Sequence, residues 1–205
     1  MVDGDRTGSN TGAGDAPPTA LRALACLQDL ALEKGLDDVS MRDVARRAGI
    51  SLAALQYHYP NKAALLDAFV VQTINGYRRR IDTILAASPE GERFTNLVRF
   101  AATETLQSDR YGVLAMIEGR ANHDNAARSA IRMFFRSYLE VMRDALAADA
   151  PDLSQAKALL TAIVVVSMLE GLPALIEPAG SLGVDCHAVL ETIVRVSMTL
   201  PAAMP

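Results

Sequence analysis

Apolar residues recur at intervals of three or four along most of this chain, which is the spacing that produces amphipathic α-helices. Stretches with this spacing are found at residues 19–34, 62–87, 92–108, 110–120, 124–149, 153–177 and 184–200. Two shorter helical stretches lie within residues 39–62. No stretch shows the sustained alternation of apolar and polar residues that marks a half-buried strand. The pattern therefore predicts an all-α fold of about nine helices.

The most specific pattern lies within residues 39–62, where two short helices are predicted on either side of a glycine-containing turn. Ser40 and Asp43 form the S-x-x-D pattern that caps the N-terminus of a helix. Gly49 stands where a helix ends in the left-handed conformation that glycine adopts without strain, and Ser51 can cap the next helix. Two short helices joined in this way form the helix-turn-helix layout, in which the second helix enters the major groove of DNA.

This segment is basic although the chain as a whole is acidic. Residues 40–62 contain four basic residues and one acid, a local charge of +3 in a chain of net charge −4. The basic residues are Arg42, Arg46, Arg47 and Lys62. Such a patch favours phosphate binding, because lysine and arginine release the counterions condensed on DNA. Arg46 and Arg47 are equally compatible with a solvated helix face.

The composition excludes several other classes of protein. A chain of 205 residues that is 50% apolar can bury a core and form one or two compact units. The longest nearly uninterrupted apolar run, residues 158–169, is shorter than the roughly 20 residues that span a membrane, and no secretion signal is visible. Cys26 and Cys186 are far apart, which fits a reduced, cytoplasmic environment. Residues 1–18 have the composition of a disordered tail.

Residues 33–69, EKGLDDVSMRDVARRAGISLAALQYHYPNKAALLDAF, resemble the N-terminal domain of the tetracycline-repressor (TetR) family of bacterial transcriptional regulators. The shared features are a serine before the second helix, the pattern A-x-x-A-G followed by an apolar residue and serine, an aromatic cluster, and K-x-x-L. The other predicted helices agree in number, order and length. The resemblance implies a helix-turn-helix DNA-binding domain over residues 19–64 and a helical regulatory and dimerisation domain over residues 65–205.

The resemblance also assigns DNA contacts to residues of the two short helices. The predicted set is Ser40, Arg42, Ser51, Ala53, Ala54, Gln56, Tyr57, His58 and Lys62. Ser40 and Arg42 would hold the DNA backbone, and Lys62 would bind a phosphate. The pair Ala53-Ala54 replaces the common Gly-Thr.

Gln56 replaces a frequent tyrosine, and glutamine can pair bidentately with adenine, so the base preference should differ from that of typical members. His58 is also open to a packing role at the end of its helix. Tyr59, in place of the common phenylalanine, is expected to pack in the core.

Two predicted helices near the C-terminus are apolar on almost every side, and such helices are buried all round. In a domain of this size, one side can face the core and the other a second copy of the chain. Small residues would allow close approach, and the resemblance implies the same four-helix dimer interface. The predicted interface residues are Leu160, Val164, Ser167, Gly171, Leu190, Ile193 and Val194. The alternative is that both helices are central in a monomer.

By the same resemblance, a ligand pocket is expected in the helical domain. Its predicted lining combines apolar side chains with a few polar groups, as small-molecule sites generally do. The candidates are Phe100, Glu104, Met116, His123, Phe134, Tyr138 and Met168. Methionine and aromatic residues at helical spacing are also typical of an ordinary core, and His123 could instead cap the following helix.

Together these features predict a dimeric, sequence-specific transcriptional regulator, a repressor that a small-molecule ligand releases from a palindromic operator. The expected partners are double-stranded DNA, a second copy of the chain and a small apolar or amphipathic effector, with no cofactor, metal or membrane. An enzyme is disfavoured, because the sequence has no glycine-rich phosphate loop and no H-E-x-x-H motif. The alternative is a helical protein–protein interaction module that does not bind specific DNA.

Overall fold

The computed structural model describes residues 18–106 and 108–203, with side chains throughout these ranges except at 105–111 and 177. These ranges contain ten α-helices and no strand. The helices are α1 Pro18–Lys34, α2 Met41–Arg47, α3 Leu52–His58, α4 Lys62–Ala87, α5 Arg93–Leu106, α6 Ser108–Ala121, α7 Asn125–Asp149, α8 Gln155–Gly171, α9 Pro173–Ser181 and α10 Cys186–Ala203. The predicted all-α fold is therefore confirmed. The predicted tail lies outside the described residues apart from Pro18, which begins α1.

One predicted helix is in fact two. The apolar pattern over residues 153–177 suggested a single helix, but α8 ends at Gly171 and α9 begins at Pro173. Proline has no backbone N–H and its ring excludes the carbonyl of the preceding turn, so it interrupts a helix but is well suited to start one. The described chain consequently has ten helices where about nine were predicted.

The packed units of the chain divide between Gln72 and Thr73, within α4. The resemblance predicted the boundary between the DNA-binding and regulatory domains after residue 64, near the start of the same helix. In the first unit, α1 to α3 and the beginning of α4 enclose a small core. The α1 residues of that core are Ala20, Ala23, Leu24, Leu27, Leu30 and Ala31. Leu21, the neighbour of Ala20 and about 100° away from it around the helix, lies off this buried stripe and is 43% exposed.

The second unit is built around α8, which packs against α5, α7 and α10. Its core combines fully buried residues of these helices, including Phe94, Leu97, Met142, Val165 and Leu169. The N-terminus of α5 is held by α7, because the backbone N–H of Phe94 donates a hydrogen bond of 2.8 Å to the Asp149 carboxylate.

In the part of the chain that is described, no single helix has the length and apolar character needed to cross a membrane; only the bent pair α8 and α9 meets those two criteria together.

Candidate nucleic-acid interface and regulatory residues

The start of α2 has the capping box that the sequence predicts. The Ser40 hydroxyl accepts a hydrogen bond of 3.2 Å from the backbone N–H of Asp43, and the Asp43 carboxylate accepts one of 3.1 Å from the backbone N–H of Ser40. These hydrogen bonds satisfy two donors that the first turn of a helix leaves free. Ser40 is therefore a structural residue of the motif whatever it contacts in a complex.

The turn between α2 and α3 also follows the sequence prediction. Gly49 has φ = +66°, in the left-handed region, so a residue with a β-carbon there would be strained. The hydroxyl of Ser51 accepts a hydrogen bond of 3.0 Å from the backbone N–H of Ala54 and caps α3. The helix ends at Tyr59, whose following proline disfavours helical backbone angles.

One face of this hairpin is packed into the first unit. Val44, Ala45 and Leu55 are buried. Tyr59 is also buried, and its hydroxyl donates a hydrogen bond of 3.3 Å to the backbone carbonyl of Ala20 in α1, while burial raises the pKa of this phenol. These contacts determine the orientation of α3 on the unit.

The opposite face of α3 points away from the core. Ala53, Gln56 and Tyr57 are exposed, Tyr57 by 85%, and the helical repeat places these three side chains on one side. Ala54 is half-buried. His58 is also half-buried, and its ring contacts that of Tyr57 edge-on, with ring centres 5.2 Å apart. This exposed face is where a seven-residue recognition helix would meet base edges.

The two predicted cations that would bind phosphate lie in different settings. Arg42 is exposed and has no ion-pair partner among the described residues. Lys62 is half-buried at the first residue of α4, and its ammonium group donates a hydrogen bond to the backbone carbonyl of Asp37. The Lys62 side chain is therefore oriented by the loop that precedes α2. The start of α4 is also capped by Asn61, whose side-chain oxygen accepts a hydrogen bond of 2.9 Å from Ala64, a cap that the sequence analysis did not predict.

Both remaining arginines of the basic segment are paired with acids. Arg47 in α2 makes two hydrogen bonds, of 2.9 and 2.7 Å, to the carboxylate of Glu33 in α1. The hydrogen bond from Arg47 lowers the pKa of Glu33. Arg46 lies 2.7 Å from the carboxylate of Asp43. The local charge counted along the sequence therefore overstates the positive charge that this segment can offer to DNA.

The carboxylate of Asp43 is the centre of a small polar network. It accepts hydrogen bonds from the Ser40 hydroxyl and from the Lys34 ammonium group, at 2.7 and 2.9 Å. These contacts, together with the Ser40 backbone N–H, hold its pKa well below the ordinary value. Lys34 and Glu33 are site residues that sequence reasoning missed. They precede the motif by several residues, and only the packing of α1 on α2 brings them to it.

In the second unit, four of the seven predicted pocket residues belong to one aromatic and polar cluster centred on Tyr77 of α4. The ring of Tyr77 lies 5.6 Å from that of Phe100, 5.3 Å from that of Phe134 and 5.9 Å from that of Tyr138, between centres. Glu104 is 7% exposed and forms a 2.9 Å ion pair with Arg80. Tyr77 and Arg80 were not among the predicted pocket residues, because a run of three arginines at 78–80 is typical of a solvated helix surface.

The other three predicted pocket residues lie in less specific settings. Met168 is half-buried against the core of the unit, and Met116 is half-buried on α6. His123 is exposed in the turn between α6 and α7. The cap of α7 is made by Asp124 and not by His123, with hydrogen bonds from Ala126 and Ala127.

The seven predicted interface residues divide into two groups. On α8, Leu160, Ser167 and Gly171 are exposed and Val164 is half-buried, so this face is available to another molecule. On α10, Leu190 and Val194 are only 5% exposed. These two residues form the inner face of α10 and pack in the core of their own unit, so they offer little surface to a partner. Ile193 is half-buried beside that face.

Comparison with known proteins agrees with this geometry. Residues 28–69 match the model of the family described as bacterial regulatory proteins, tetR family. No curated protein matches the chain. A TetR transcription regulator from Haloarcula marismortui ATCC 43049 is similar over 91% of this chain and 97% of its own, with a TM-score of 0.74 and 18% identity. A TetR-family transcriptional regulator from Streptomyces coelicolor is similar over 92% and 91%, with a TM-score of 0.71 and 19% identity.

A third similar structure is that of a protein from Saccharomonospora viridis, described as a transcriptional regulator and solved in complex with choline. It has a TM-score of 0.73 and 18% identity over 85% of this chain and 92% of its own. Identities at this level establish a shared fold. The pair α2 and α3 is therefore the helix-turn-helix of the tetR family of bacterial regulatory proteins, and the described chain has the fold of TetR-type transcriptional regulators.

Proposed function

We propose that this protein is a dimeric, sequence-specific DNA-binding repressor that a small-molecule ligand releases from a palindromic operator. The observation that carries the DNA-binding part is the division of α3 into two faces. Leu55 is buried and holds the helix, while Gln56 and Tyr57 are exposed beside Ala53. An exposed polar and aromatic face on a short, capped helix provides donors, acceptors and apolar contacts for base edges in a major groove.

A helix-turn-helix reads only a few base pairs, so dimerisation supplies affinity and matches a palindrome with half-sites about 34–36 Å apart. The described surface offers a face for this pairing. Leu160 and Ile163 on α8 and Val196 on α10 are large apolar side chains that remain exposed, and Ser167 and Gly171 continue the α8 face with small residues. Covering such a face with a second copy removes apolar surface from water.

The ligand-responsive part is supported by the aromatic and polar cluster around Tyr77, and by the choline complex of the similar protein from Saccharomonospora viridis. A ligand lowers operator affinity when it binds better to the state of the dimer that holds DNA poorly. By linkage, the operator lowers ligand affinity by the same factor.

The test is selection of bound sequences from a random duplex pool by the full chain, at two salt concentrations. We expect enrichment of a palindrome, with retention that falls steeply as salt rises. Tyr57→Ala serves as the matched variant and should enrich the palindrome much more weakly than wild type. If the wild-type chain enriches no sequence and its retention does not depend on salt, the helical protein–protein interaction module becomes the better description.

A further inference from the structure

The exposed face of α3 carries no permanently charged side chain. The seven residues of this helix, Leu52–His58, include no lysine, arginine, aspartate or glutamate. The cations that the sequence analysis assigned to phosphate, Arg42 and Lys62, belong to α2 and α4. Any base preference of α3 therefore comes from neutral hydrogen bonds and apolar contacts with base edges.

The side-chain types on α3 narrow the bases that the helix can read. Guanine is read most often by arginine or lysine and cytosine by glutamate or aspartate, and α3 has none of these residues. Glutamine pairs bidentately with adenine, because its amide donates to N7 and accepts from the N6 amino group. Alanine makes an apolar contact with the methyl group of thymine. The composition of the helix thus favours A·T base pairs.

Both kinds of side chain lie on the exposed face of α3. Leu55 is fully buried and fixes the rotation of the helix on the first unit. At about 3.6 residues per turn, Ala53 lies about 160° from Leu55 around the helix axis and Gln56 about 100°. Both Ala53 and Gln56 are exposed. The small side chain is therefore at the centre of the exposed face, where it allows close approach to a groove, and the glutamine extends beside it.

The Gln56 side chain is available to a base while the helix that carries it is held in place. Its amide makes no hydrogen bond within the part of the chain that the structure describes. Contacts at the two ends of the helix fix the backbone: the Ser51 hydroxyl accepts a hydrogen bond from Ala54, and the Tyr59 hydroxyl donates one to the Ala20 carbonyl. A bidentate contact needs this combination of a fixed backbone and an unpaired amide.

The spacing of the two side chains suits adjacent base pairs. Residues three apart on a helix have β-carbons about 5–6 Å apart. Successive bases of one strand are about 3.4 Å apart along the duplex axis. When Gln56 reaches one base pair, Ala53 therefore lies over a neighbouring one.

We propose that Gln56 is a specificity-determining residue that reads an adenine in each operator half-site, with the methyl group of a neighbouring thymine packed against Ala53. The amide supplies one donor and one acceptor to the adenine, and the alanine excludes water from the thymine methyl group. This inference rests on the proposed function, because it names a base that the proposed operator contains.

The first test is the base preference of sequences selected from a random duplex pool by four forms of the full chain. Wild type should enrich a palindrome with an A·T pair at the same distance from the centre of symmetry in both half-sites. Q56A should keep the palindrome but lose the preference at that position. Q56R should prefer G·C there, because arginine pairs with O6 and N7 of guanine. Q155A makes the same change as Q56A at an exposed glutamine of α8 and should select the wild-type sequence.

The second test changes single atoms of the selected operator, with binding followed by fluorescence anisotropy. In 7-deazaadenine a carbon replaces N7, so the Gln56 amide loses its acceptor. Placed in both half-sites, this base should weaken wild-type binding roughly tenfold or more and leave Q56A unaffected. Uracil in place of the neighbouring thymine should weaken wild type and Q56A alike, roughly fourfold for each methyl group that Ala53 covers. These measurements change the DNA and leave the fold of the protein untouched.

Three results would overturn the proposal: identical base preferences of wild type, Q56A and Q56R at every position, a Q56A variant that is weakened equally on all duplexes, or an equal effect of 7-deazaadenine on wild type and Q56A. The second result would assign Gln56 to a phosphate. A chain that selects no palindrome contradicts the proposed function and this inference with it. A chain that selects a palindrome whose bases do not respond to Gln56 fails only in this inference.

Discussion

The two faces of α3 permit a test in which neighbouring residues have opposite effects. Leu55 is completely buried, whereas Tyr57 is 85% exposed. Leu55→Ala removes a packed side chain and leaves a cavity, which costs about 2–5 kcal/mol of unfolding free energy. Tyr57→Ala removes a side chain that mostly contacts water, so its effect on unfolding free energy should stay within about 0.5 kcal/mol.

The order of the two variants should be reversed for DNA binding, with Tyr57→Ala losing more affinity than Leu55→Ala. The proposed dimer would present two copies of Tyr57, so a loss of about 1.4 kcal/mol at each half-site would weaken operator binding roughly a hundredfold. Leu55→Ala, measured at a temperature where it remains folded, should bind DNA with a much smaller loss. The assays are urea unfolding followed by circular dichroism and titration of the selected operator followed by fluorescence anisotropy.

One result for each variant would contradict this reasoning. Full operator affinity in Tyr57→Ala would remove α3 from the recognition surface, whatever the fold. An unfolding free energy of Leu55→Ala equal to wild type would mean that α3 does not pack as described. Ala25→Ser, an exposed and small change on α1 outside the predicted contact set, is the control for nonspecific effects of substitution in the first unit.

Three further outcomes are expected. Lys62→Ala should weaken binding to all duplexes. It should also reduce the slope of log affinity against log salt by about 0.9 for each phosphate that the lysine neutralises, as measured by fluorescence anisotropy at several salt concentrations. An unchanged slope would exclude Lys62 from phosphate binding. Ile163→Glu should yield a monomer in analytical ultracentrifugation, whereas Ser129→Glu, an exposed change on α7, should remain dimeric; a dimer in both would reject the α8 face. The pKa of Glu170 rises from 4.5 to about 7 on folding, so the folded state binds this proton more tightly. Its contribution to stability is therefore present at low pH and is lost between about pH 5 and pH 8, by up to about 3 kcal/mol. Urea unfolding of wild type and E170Q should show this loss only in wild type, and parallel pH profiles would contradict it.

Most helix boundaries were predictable because their signals lie within a few residues of each end. Ser40, Ser51 and Gly49 act through hydrogen bonds and backbone angles inside one turn, and the structure agrees with each prediction. The boundary at Pro173 was not predicted because the apolar pattern continues across it, whereas the missing N–H of proline interrupts the helix there.

The candidate site was less predictable, because the ion pairs and the face that each helix turns toward the core depend on residues far apart in sequence. The pair of Arg47 with Glu33 joins two helices across 14 residues. The counted charge of the segment could not reveal it. Likewise, apolar residues on every side of α10 gave no means of choosing its inner face. Packing places Leu190 and Val194 inward.

By itself, the sequence determined the helical class, the capped helix-turn-helix and the resemblance to the TetR family, because each depends on residue spacing within one or two turns. The tertiary structure alone decided which arginines remain available to phosphate, which face of each C-terminal helix is exposed, and which rings surround Tyr77. The physical reason is that helix rotation and side-chain pairing follow from close packing between helices. That packing depends on the shapes of residues from several parts of the chain, and no local pattern encodes them.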